Sequence, residues 1–384
     1  MVTEPKRKSA IVEKMPLKKV AIVGTRGYPS YYGGFETAIR HLVPYLADNG
    51  WNVDVYGRKG QTAPLAVPNP RINAFISKGI DTKSLSTLSY GFSACLKVLF
   101  SRPDVVLVMN VANGYFLPLY KLAGLTTLVN VDGVEWHRAK WGPLAKTVFR
   151  VGGLLTAVFA TELIFDSVAI GKYWTKYFNR RGHYIPYGGD ATVSSAELPF
   201  GLKKSDKYIL AVARLVPENS IELFFDAVQS LLPRNKVVLV GAGNPGEMLE
   251  EKANQLSNKY PNFIRLGHIS DDKILHQLWA NCGAYFHGHT VGGTNPALVQ
   301  AMTCGSAIVA VNTNFNAEVL KNTGLLVAPG KLEVLEGIEA ILNDERLSQR
   351  LSNLAMERAK TNFTWQQVNQ RYLRLLNSVT EAEI

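Results

Sequence analysis

Two glycine pairs, each between a strand-like run and a helix-like run, are the residues best placed to bind an anion. Gly33 and Gly34 follow the first apolar run, and Gly292 and Gly293 follow the run AYFHGH. Glycine lets the backbone approach a ligand closely, and the first N–H groups of a helix point at an anion beyond its end. Both turns are therefore candidate phosphate sites. For the first pair, a tight turn without a ligand is the alternative interpretation.

The second pair is followed by a helix start with further polar groups. Thr294 or Asn295 can cap the helix, and Pro296 suits its first position because proline has no N–H to leave unpaired. Gln300 lies one turn further on the same face, so it can reach a ribose attached to the phosphate. His287 and His289 could instead be read as metal ligands, but no third ligand is evident and we expect no metal.

Arg214 and Asn219 belong to ARLVPEN, which joins a predicted strand to the next helix. A guanidinium at this strand end can hold two phosphate oxygens and stabilise a departing diphosphate, so we predict a catalytic role for Arg214. An ion pair with an acid such as Glu318 is the structural alternative.

The segment NVDGVEWHRAKWG is rich in carboxylates and indoles at another strand end. Carboxylates accept hydrogen bonds from sugar hydroxyls, and indole rings stack on the apolar faces of sugars. We therefore predict that Asp132, Glu135, Trp136 and Arg138 bind a sugar at this strand end. A structural corner is the alternative interpretation of the same segment.

Buried-strand patterns alternate with helix-length segments in both halves of the chain. The predicted strands lie in segments 18–24, 53–57, 104–109, 126–133, 208–215, 236–243, 262–269, 284–289 and 307–312. Such alternation indicates parallel sheets with right-handed crossovers. The sequence thus predicts an α/β chain with two doubly wound, Rossmann-like domains facing a cleft, because ligands lie beyond the carboxyl ends of parallel strands.

Five segments follow from this division. We predict a disordered basic tail over 1–17, an N-terminal Rossmann-like domain over 18–190 and a linker over 191–207. A C-terminal Rossmann-like domain covers 208–361. A terminal helix lies within 362–384.

Charge and cysteine content narrow the class of partner. The net charge is +11, and residues 1–190 hold 24 Lys+Arg against 12 Asp+Glu. A positive field concentrated in one half favours anionic partners. No nucleic-acid-recognition motif accompanies it, so we expect no nucleic acid to bind. Three widely spaced cysteines suit a reducing compartment, and we expect a cytoplasmic protein.

Taken together, these segments resemble the glycosyltransferases of the GT-B fold, family 4, and within them the bacterial rhamnosyltransferase-like branch of polysaccharide assembly. The resemblance extends from GTRGYPSYYGGFET to FNAEVL. It implies a retaining, metal-independent hexosyltransferase without a cofactor. It also implies that the terminal helix packs back on the N-terminal domain. Its donor would be a nucleotide sugar, best matched by dTDP-L-rhamnose and held mainly by the C-terminal domain. Its acceptor would be a polyprenyl-diphosphate-linked saccharide held by the N-terminal domain, with Glu135, Trp136 and Arg138 as acceptor-binding residues and Asp132 positioning or deprotonating the attacking hydroxyl. Glu318 would help to position the donor.

The sequence departs from that family at the donor site. The glutamate pair of the family corresponds here to Gly292 and Gln300, and the lysine that commonly contacts phosphate corresponds to Asn219. A glutamine keeps an acceptor oxygen for a ribose hydroxyl but loses the charge. Three rival functions remain: a non-catalytic partner with a decayed donor site, a GT-B phosphorylase or epimerase, and a nucleotide-binding regulatory module.

Two amphipathic segments predict contact with an anionic membrane surface. The first runs from Lys140 to Leu155 and combines basic residues with Trp141 and several aliphatic side chains, and the second spans 89–102. Such segments suit the inner face of the cell membrane, where a lipid-linked acceptor is presented. Helices of the core with basic residues reaching to solvent are the alternative.

Overall fold

The computed structural model describes residues 18–31, 33–64, 68–80, 86–138, 141–190 and 198–381. The predicted tail 1–17, the first part of the predicted linker and Lys140 lie outside the described residues. Within the described part, no helix is both long and apolar enough to cross a membrane.

The N-terminal half forms a parallel sheet, which the described residues build from seven strands in the order β3-β2-β1-β4-β5-β6-β7. The strands are β1 (Lys19–Val23), β2 (Asn52–Arg58), β3 (Ile72–Ser77), β4 (Val105–Met109), β5 (Thr126–Asn130), β6 (Glu162–Phe165) and β7 (His183–Tyr184). All residues of β4 and β5 are buried, as expected for central strands covered on both faces.

The C-terminal half forms a second parallel sheet, with the order β10-β9-β8-β11-β12-β13 in the described residues. Its strands are β8 (Ile209–Val212), β9 (Val237–Val240), β10 (Phe263–Gly267), β11 (Ala284–His287), β12 (Ile308–Val311) and β13 (Leu325–Val327). In each sheet the first strand of the half lies centrally and the chain winds to both sides of it. The predicted fold class, two doubly wound Rossmann-like units, is confirmed.

Helices cover both faces of each sheet. The first half contains α1 (Gly34–Asp48), α2 (Ser86–Ser101), α3 (Leu117–Leu122), α4 (Pro143–Phe159) and α5 (Val168–Phe178). The second contains α6 (Ile221–Val228), α7 (Met248–Lys259), α8 (Asp272–Asn281), α9 (Pro296–Thr303), α10 (Asn314–Leu320), α11 (Lys331–Asn343), α12 (Glu345–Asn362) and α13 (Trp365–Glu381). Four buried clusters result, one on each face of each sheet.

The last helix returns to the first half of the molecule. Val368, Tyr372 and Leu376 of α13 are buried in the same cluster as β1 and α1. Asn369 also donates from Nδ2 to the carbonyl of His41 on α1, at 3.0 Å. Helix α13 is therefore part of the N-terminal core although the C-terminal sheet precedes it in the chain.

Candidate active site

A cleft of about 1170 Å³ lies between the two halves, lined by residues of both. It opens at the carboxyl ends of β1, β2, β4, β8, β9 and β11, where parallel sheets place their ligands. Seven of the predicted site residues line it: Gly33, Gly34, Glu135, Arg214, Asn219, Asn295 and Gln300.

The glycine turn after β1 places the start of α1 in the cleft. Gly33 precedes the helix in an extended conformation, without a side chain to cap it. Glu36 in the first turn is buried and accepts a hydrogen bond from the backbone N–H of Arg26 at 3.0 Å. The first turn of α1 therefore keeps N–H groups directed beyond its end.

The start of α9 meets the start of α1 across the cleft. A Cβ added to Gly34 would lie 3.2 Å from Cγ of Pro296, so the two helix ends are in contact. Of the two predicted caps, Asn295 is the one used: its Oδ1 accepts from the N–H of Ala297 at 2.9 Å. A phosphate at this helix end must therefore share or replace that hydrogen bond.

Arg214 stands at the carboxyl end of β8 with its side chain exposed to the cleft. Its carbonyl accepts from Nδ2 of Asn219 at 2.8 Å. Within the described part of the chain its guanidinium has no ion pair. Glu318, the partner suggested by the sequence, binds backbone N–H groups elsewhere. The guanidinium is thus available to a ligand in the cleft.

Asn219 connects two loops of the C-terminal wall. Besides the Arg214 carbonyl, it contacts Nδ1 of His289 through Oδ1 at 2.6 Å. The N–H of Thr290 donates to the carbonyl of Glu218 at 2.8 Å, which joins the same two loops again. Asn219 lines the cleft, but its amide is occupied by protein groups.

The remaining residues of the second glycine turn contact the opposite domain and do not line the cleft, contrary to our expectation. Gly293 lies so close to the carboxylate of Asp166 that a Cβ on it would collide with that group, and Gly292 packs against Gly133. Thr294 donates from Oγ1 to the carbonyl of Asp166. At this turn the glycines allow the backbone to pack closely against the N-terminal domain.

Gln300 lines the cleft and also fastens the chain where it crosses between the domains. Its Oε1 accepts from the N–H of Asp190 at 3.2 Å, and its Nε2 donates to the carbonyl of the same residue. The predicted ribose contact would compete with these two hydrogen bonds. A glutamate could not make the second one, since an ionised carboxylate has no donor.

Glu318 lies outside the cleft, which corrects its predicted position beside the donor. Its carboxylate accepts from the N–H groups of Val168 and Ala169 at 2.7 and 3.1 Å, and from Oγ of Ser167 at 3.2 Å. The residue thus caps α5 of the N-terminal half from α10 of the C-terminal half. A carboxylate is favoured there by the positive end of the helix dipole.

The predicted acceptor loop divides into a polar part at the cleft and an aromatic part in the core. Glu135 lines the cleft, accepting from Nε1 of Trp141 at 3.1 Å and pairing with Nε of Arg138 at 2.7 Å. Asp132 accepts from Nδ2 of Asn110 at 3.4 Å and lies 3.7 Å from Nη2 of Arg138. Arg138 is buried and acts by holding these two carboxylates.

Trp136 is a core residue, contrary to the expectation that it stacks on an acceptor sugar. It is 5% exposed, donates from Nε1 to the hydroxyl of Tyr173 at 3.1 Å and packs against Trp174 and Phe178. Gly153 of α4 packs closely against the same indole ring. Trp141 and Phe149, whose rings are 5.1 Å apart, are the aromatic residues of this region that line the cleft.

Comparison with known proteins identifies the C-terminal half. Residues 197–358 match the family model for glycosyl transferases group 1, and residues 17–190 match a domain of unknown function, DUF1972. The C-terminal half is thus similar to a glycosyltransferase group 1 domain. An uncharacterized glycosyltransferase of Methanocaldococcus jannaschii is 23% identical over 173 residues, which are 44% of this chain and 44% of that protein. The match thus spans less than half of that relative.

Solved structures show that both halves together form the GT-B fold. Sucrose-phosphate synthase from Thermosynechococcus elongatus superposes with a TM-score of 0.79 at 18% identity, covering 95% of this chain and 100% of that one. Anabaena HepE in complex with UDP-glucose superposes with a TM-score of 0.72 at 18% identity, covering 94% and 99%.

One buried acid at the contact between the two domains was not predicted from the sequence as a site residue. Asp166 follows β6 and is buried beneath Gly293 and Thr294. Burial raises its pKa well above the usual range for an aspartate, and the nearby carboxylates of Asp132 and Glu318 raise it further. The serine and aspartate after an apolar strand were visible in the sequence, but nothing there indicated that a second domain would cover them.

His287 at the end of β11 is a second buried group on the cleft wall. Burial lowers its pKa to about 3, so the imidazole is neutral. Its Nδ1 lies 3.2 Å from the hydroxyl of Tyr285, which fixes the ring. His289 is held separately by Asn219.

Proposed function

We propose that the protein transfers a sugar from a nucleoside diphosphate sugar to a lipid-linked saccharide in cell-surface polysaccharide synthesis. The donor we favour is dTDP-L-rhamnose, and the acceptor is carried on polyprenyl diphosphate. One observation carries the proposal: the N-termini of α1 and α9 meet across the cleft that Arg214 lines. In a glycosyltransferase group 1 domain, this places positive groups where a diphosphate would leave.

Stabilisation of the leaving diphosphate is the main catalytic contribution in this proposal. The guanidinium of Arg214 and the N–H groups of the two helix ends supply positive charge and hydrogen bonds from fixed positions. Because these groups are already in place, the reaction proposed here needs no bound metal or other cofactor. The complex of HepE with UDP-glucose supports a nucleotide sugar as the class of donor.

On the acceptor side, Asp132 is the residue proposed to position or deprotonate the attacking hydroxyl. Asp132 and Asn110 adopt positive φ angles of 59° and 70°, and they are hydrogen-bonded to each other. Backbone strain of this kind at non-glycine residues is concentrated at functional sites. Asp132 itself is not among the described residues that line the cleft, but Asn110, which donates to it, and Glu135, which shares Arg138 with it, do line the cleft.

The sugar, the base and retention of the anomeric configuration rest on the resemblance of the segments from GTRGYPSYYGGFET to FNAEVL to the rhamnosyltransferase-like branch of the family. The test is release of nucleoside diphosphate from dTDP-, UDP- and GDP-sugars in the presence of a chelator and of lipid-linked acceptors extracted from bacterial membranes. We expect turnover with dTDP-rhamnose and its loss in Arg214→Ala. Turnover that is unchanged in this variant would contradict the proposal.

A non-catalytic partner protein is the second candidate, because protein groups occupy the side chains of both variant donor residues. Asn219 bonds Arg214 and His289, and Gln300 bonds Asp190. This candidate predicts that no donor binds and that the protein instead associates stably with another transferase. Donor titration and co-purification therefore separate the two candidates.

We propose that α2, α3 and α4 dock the enzyme on the inner face of the cell membrane. Exposed apolar side chains on these neighbouring helices form what we call the apolar face: Phe92, Leu96, Phe100, Leu119, Leu122, Leu144, Val151, Leu154 and Val158. On α4 the inner side is buried through Gly152, Gly153 and Thr156, so Leu144, Val151, Leu154 and Val158 form a separate outer stripe. Lys121, Lys146 and Arg150 accompany it, which suits an anionic lipid surface.

Vesicle binding tests this docking. With vesicles of phosphatidylglycerol and phosphatidylcholine, we expect the protein to float with the lipid and Leu154→Glu to remain in solution. Leu332→Glu is the matched control, since Leu332 is 63% exposed on α11 of the other domain. Equal binding by both variants would contradict docking through the apolar face.

A further inference from the structure

The N-terminal wall of the cleft contains a polar lobe with two arginines. We define the acceptor lobe by its lining residues Thr25, Arg26, Arg58, Ser86, Thr87 and Asn113. All six belong to the N-terminal half, whereas Arg214 and α9 belong to the other wall. A small extension of the cavity continues beneath it, along Thr25, Arg58, Thr87 and Asn113.

The backbone holds the two arginines next to each other. The N–H of Arg58 donates to the carbonyl of Arg26 at 2.9 Å. Gly57 and Gly27 are packed so closely that a Cβ on Gly57 would collide with the Gly27 backbone and lie 2.8 Å from the Arg26 carbonyl. This contact fixes the end of β2 against the loop after β1, so both side chains start from the same edge of the cleft.

Protein groups orient both guanidinium groups. Arg26 donates from Nη1 to Oε1 of Gln61 at 2.8 Å. Arg58 lies over the ring of Tyr90, 5.2 Å from its centroid, and reaches the hydroxyls of Ser86 and Thr87 at 3.5 Å. The hydrogen bonds of 3.5 Å are long, so oxygens of a ligand can replace them. Two guanidinium groups on the same wall of the cleft fit phosphate oxygens in particular.

The lobe also connects the cleft to the apolar face. Ser86 and Thr87 are the first residues of the sixteen-residue helix α2, whose N-terminus adds partial positive charge. The same helix carries Phe92, Leu96 and Phe100 of the apolar face. A molecule anchored by its lipid at that face and entering the cleft along α2 would bring the group next to its lipid to Arg58.

We propose that the acceptor lobe binds the phosphate or diphosphate group of the acceptor substrate through Arg26, Arg58 and the hydroxyls of Ser86 and Thr87. This inference rests on the proposed function and specifies how its acceptor is recognised. The site is separate from the one that holds the diphosphate of the donor at Arg214.

Calorimetric titration of the full chain with inorganic pyrophosphate and with farnesyl diphosphate tests the proposal. Each titration is run alone and in the presence of a saturating nucleoside diphosphate that fills the donor site. The variants are Arg58→Gln, Arg58→Lys and Thr87→Val, with Arg234→Gln as a surface control, and a melting curve for each variant verifies folding. Arg234 is paired with Glu339 at 3.7 Å in the other domain.

We expect pyrophosphate to bind with the donor site filled, and Arg58→Gln to weaken that binding at least about tenfold, as loss of hydrogen bonds to a charged group does. Arg58→Lys and Thr87→Val should weaken it less, while the affinity for nucleoside diphosphate stays unchanged in all three. Tighter binding of farnesyl diphosphate than of pyrophosphate would support a lipid-linked source of the phosphate.

Pyrophosphate binding that disappears once nucleoside diphosphate is present, or that depends on Arg214 and not on Arg58, would overturn the acceptor lobe while leaving the donor site intact. If no nucleoside diphosphate binds but Arg58-dependent pyrophosphate binding persists, the lobe stands and the proposed donor chemistry fails. The two failures are therefore distinguishable.

Discussion

Gln300 binds both the backbone N–H and the backbone carbonyl of Asp190 through its side-chain amide, and a glutamate at this position cannot reproduce both hydrogen bonds. In Gln300→Glu the hydrogen bond to the Asp190 carbonyl is lost and a negative charge faces that oxygen. We expect the free energy of unfolding to fall by about 1–2 kcal/mol. Urea denaturation measures it, with Gln349→Glu as the control, because the Gln349 amide bonds an exposed Asn353. Equal losses in the two variants would contradict the role of Gln300 in the crossing.

Asp166 should make the stability of the fold depend on pH. Its pKa is raised in the folded chain by burial, whereas in an unfolded chain it is about 3.9. The folded state therefore binds the proton more tightly, and stability falls as the pH rises from the unfolded pKa towards the folded one. Because asparagine does not ionise, Asp166→Asn removes this loss of stability at higher pH.

Melting curves of wild type and Asp166→Asn between pH 4 and 8 test this effect. We expect the variant to be the more stable protein at pH 8, with an advantage that shrinks as the pH falls towards 4. The groups that face Asp166 are Asp132, Glu318 and Arg138. A constant difference between the two proteins across this range would show that Asp166 is ionised in the folded state.

For single residues, the local sequence pattern indicates well which ones lie at strand ends, but it indicates poorly which ones contact the other domain. Arg214 and Gly34 were placed in a cleft because each follows a buried strand, and the structure places them there. Gly293 follows a strand in the same way but contacts Asp166, 127 positions earlier in the sequence. Local pattern determines at which edge of a sheet a residue lies. It does not determine which residue of another domain will cover it.

At the scale of elements, Glu318 holds the start of α5 from the other domain. We expect Glu318→Ala to lower the free energy of unfolding by about 1–2 kcal/mol, because the N–H of Val168 loses its acceptor and the N–H of Ala169 keeps only Oγ of Ser167. The control is Glu339→Ala, which removes only a surface pair at 3.7 Å. Urea unfolding of both variants provides the measurement, and equal stability of Glu318→Ala and wild type would refute the capping role.

The nine predicted strands are all present, and the strands that were missed share a physical reason. β3 is an edge strand with four consecutive exposed residues, so it lacks the buried run of a central strand. β7 and β13 have two and three residues, and β6 has four, of which the first is a glutamate. These segments are strands because they pair with neighbouring strands. Pairing between segments that are far apart in the sequence leaves little trace in a short local pattern.

At the scale of the whole molecule, α13 makes the stability of the first domain depend on the end of the chain. Leu376 is completely buried among residues of β1 and α1. We expect Leu376→Ala to cost about 2–5 kcal/mol of unfolding free energy, as other large-to-small substitutions in a core do. Leu332→Ala is the control, because that side chain is exposed. Hydrogen exchange should localise the loss to β1, β2 and α1, and a loss confined to the second sheet would contradict this packing.

We propose that Arg214 and the two helix ends, in the cleft between the two domains, hold the diphosphate of a nucleotide sugar. The most direct measurement is calorimetric titration of the metal-free protein with dTDP-, UDP- and GDP-sugars, comparing wild type, Arg214→Ala and the surface control Arg234→Ala. We expect saturable binding of one donor class, with an affinity that is weakened at least about tenfold in Arg214→Ala and unchanged in the control. Failure of every donor to bind, or equal affinity in wild type and Arg214→Ala, would contradict this proposal.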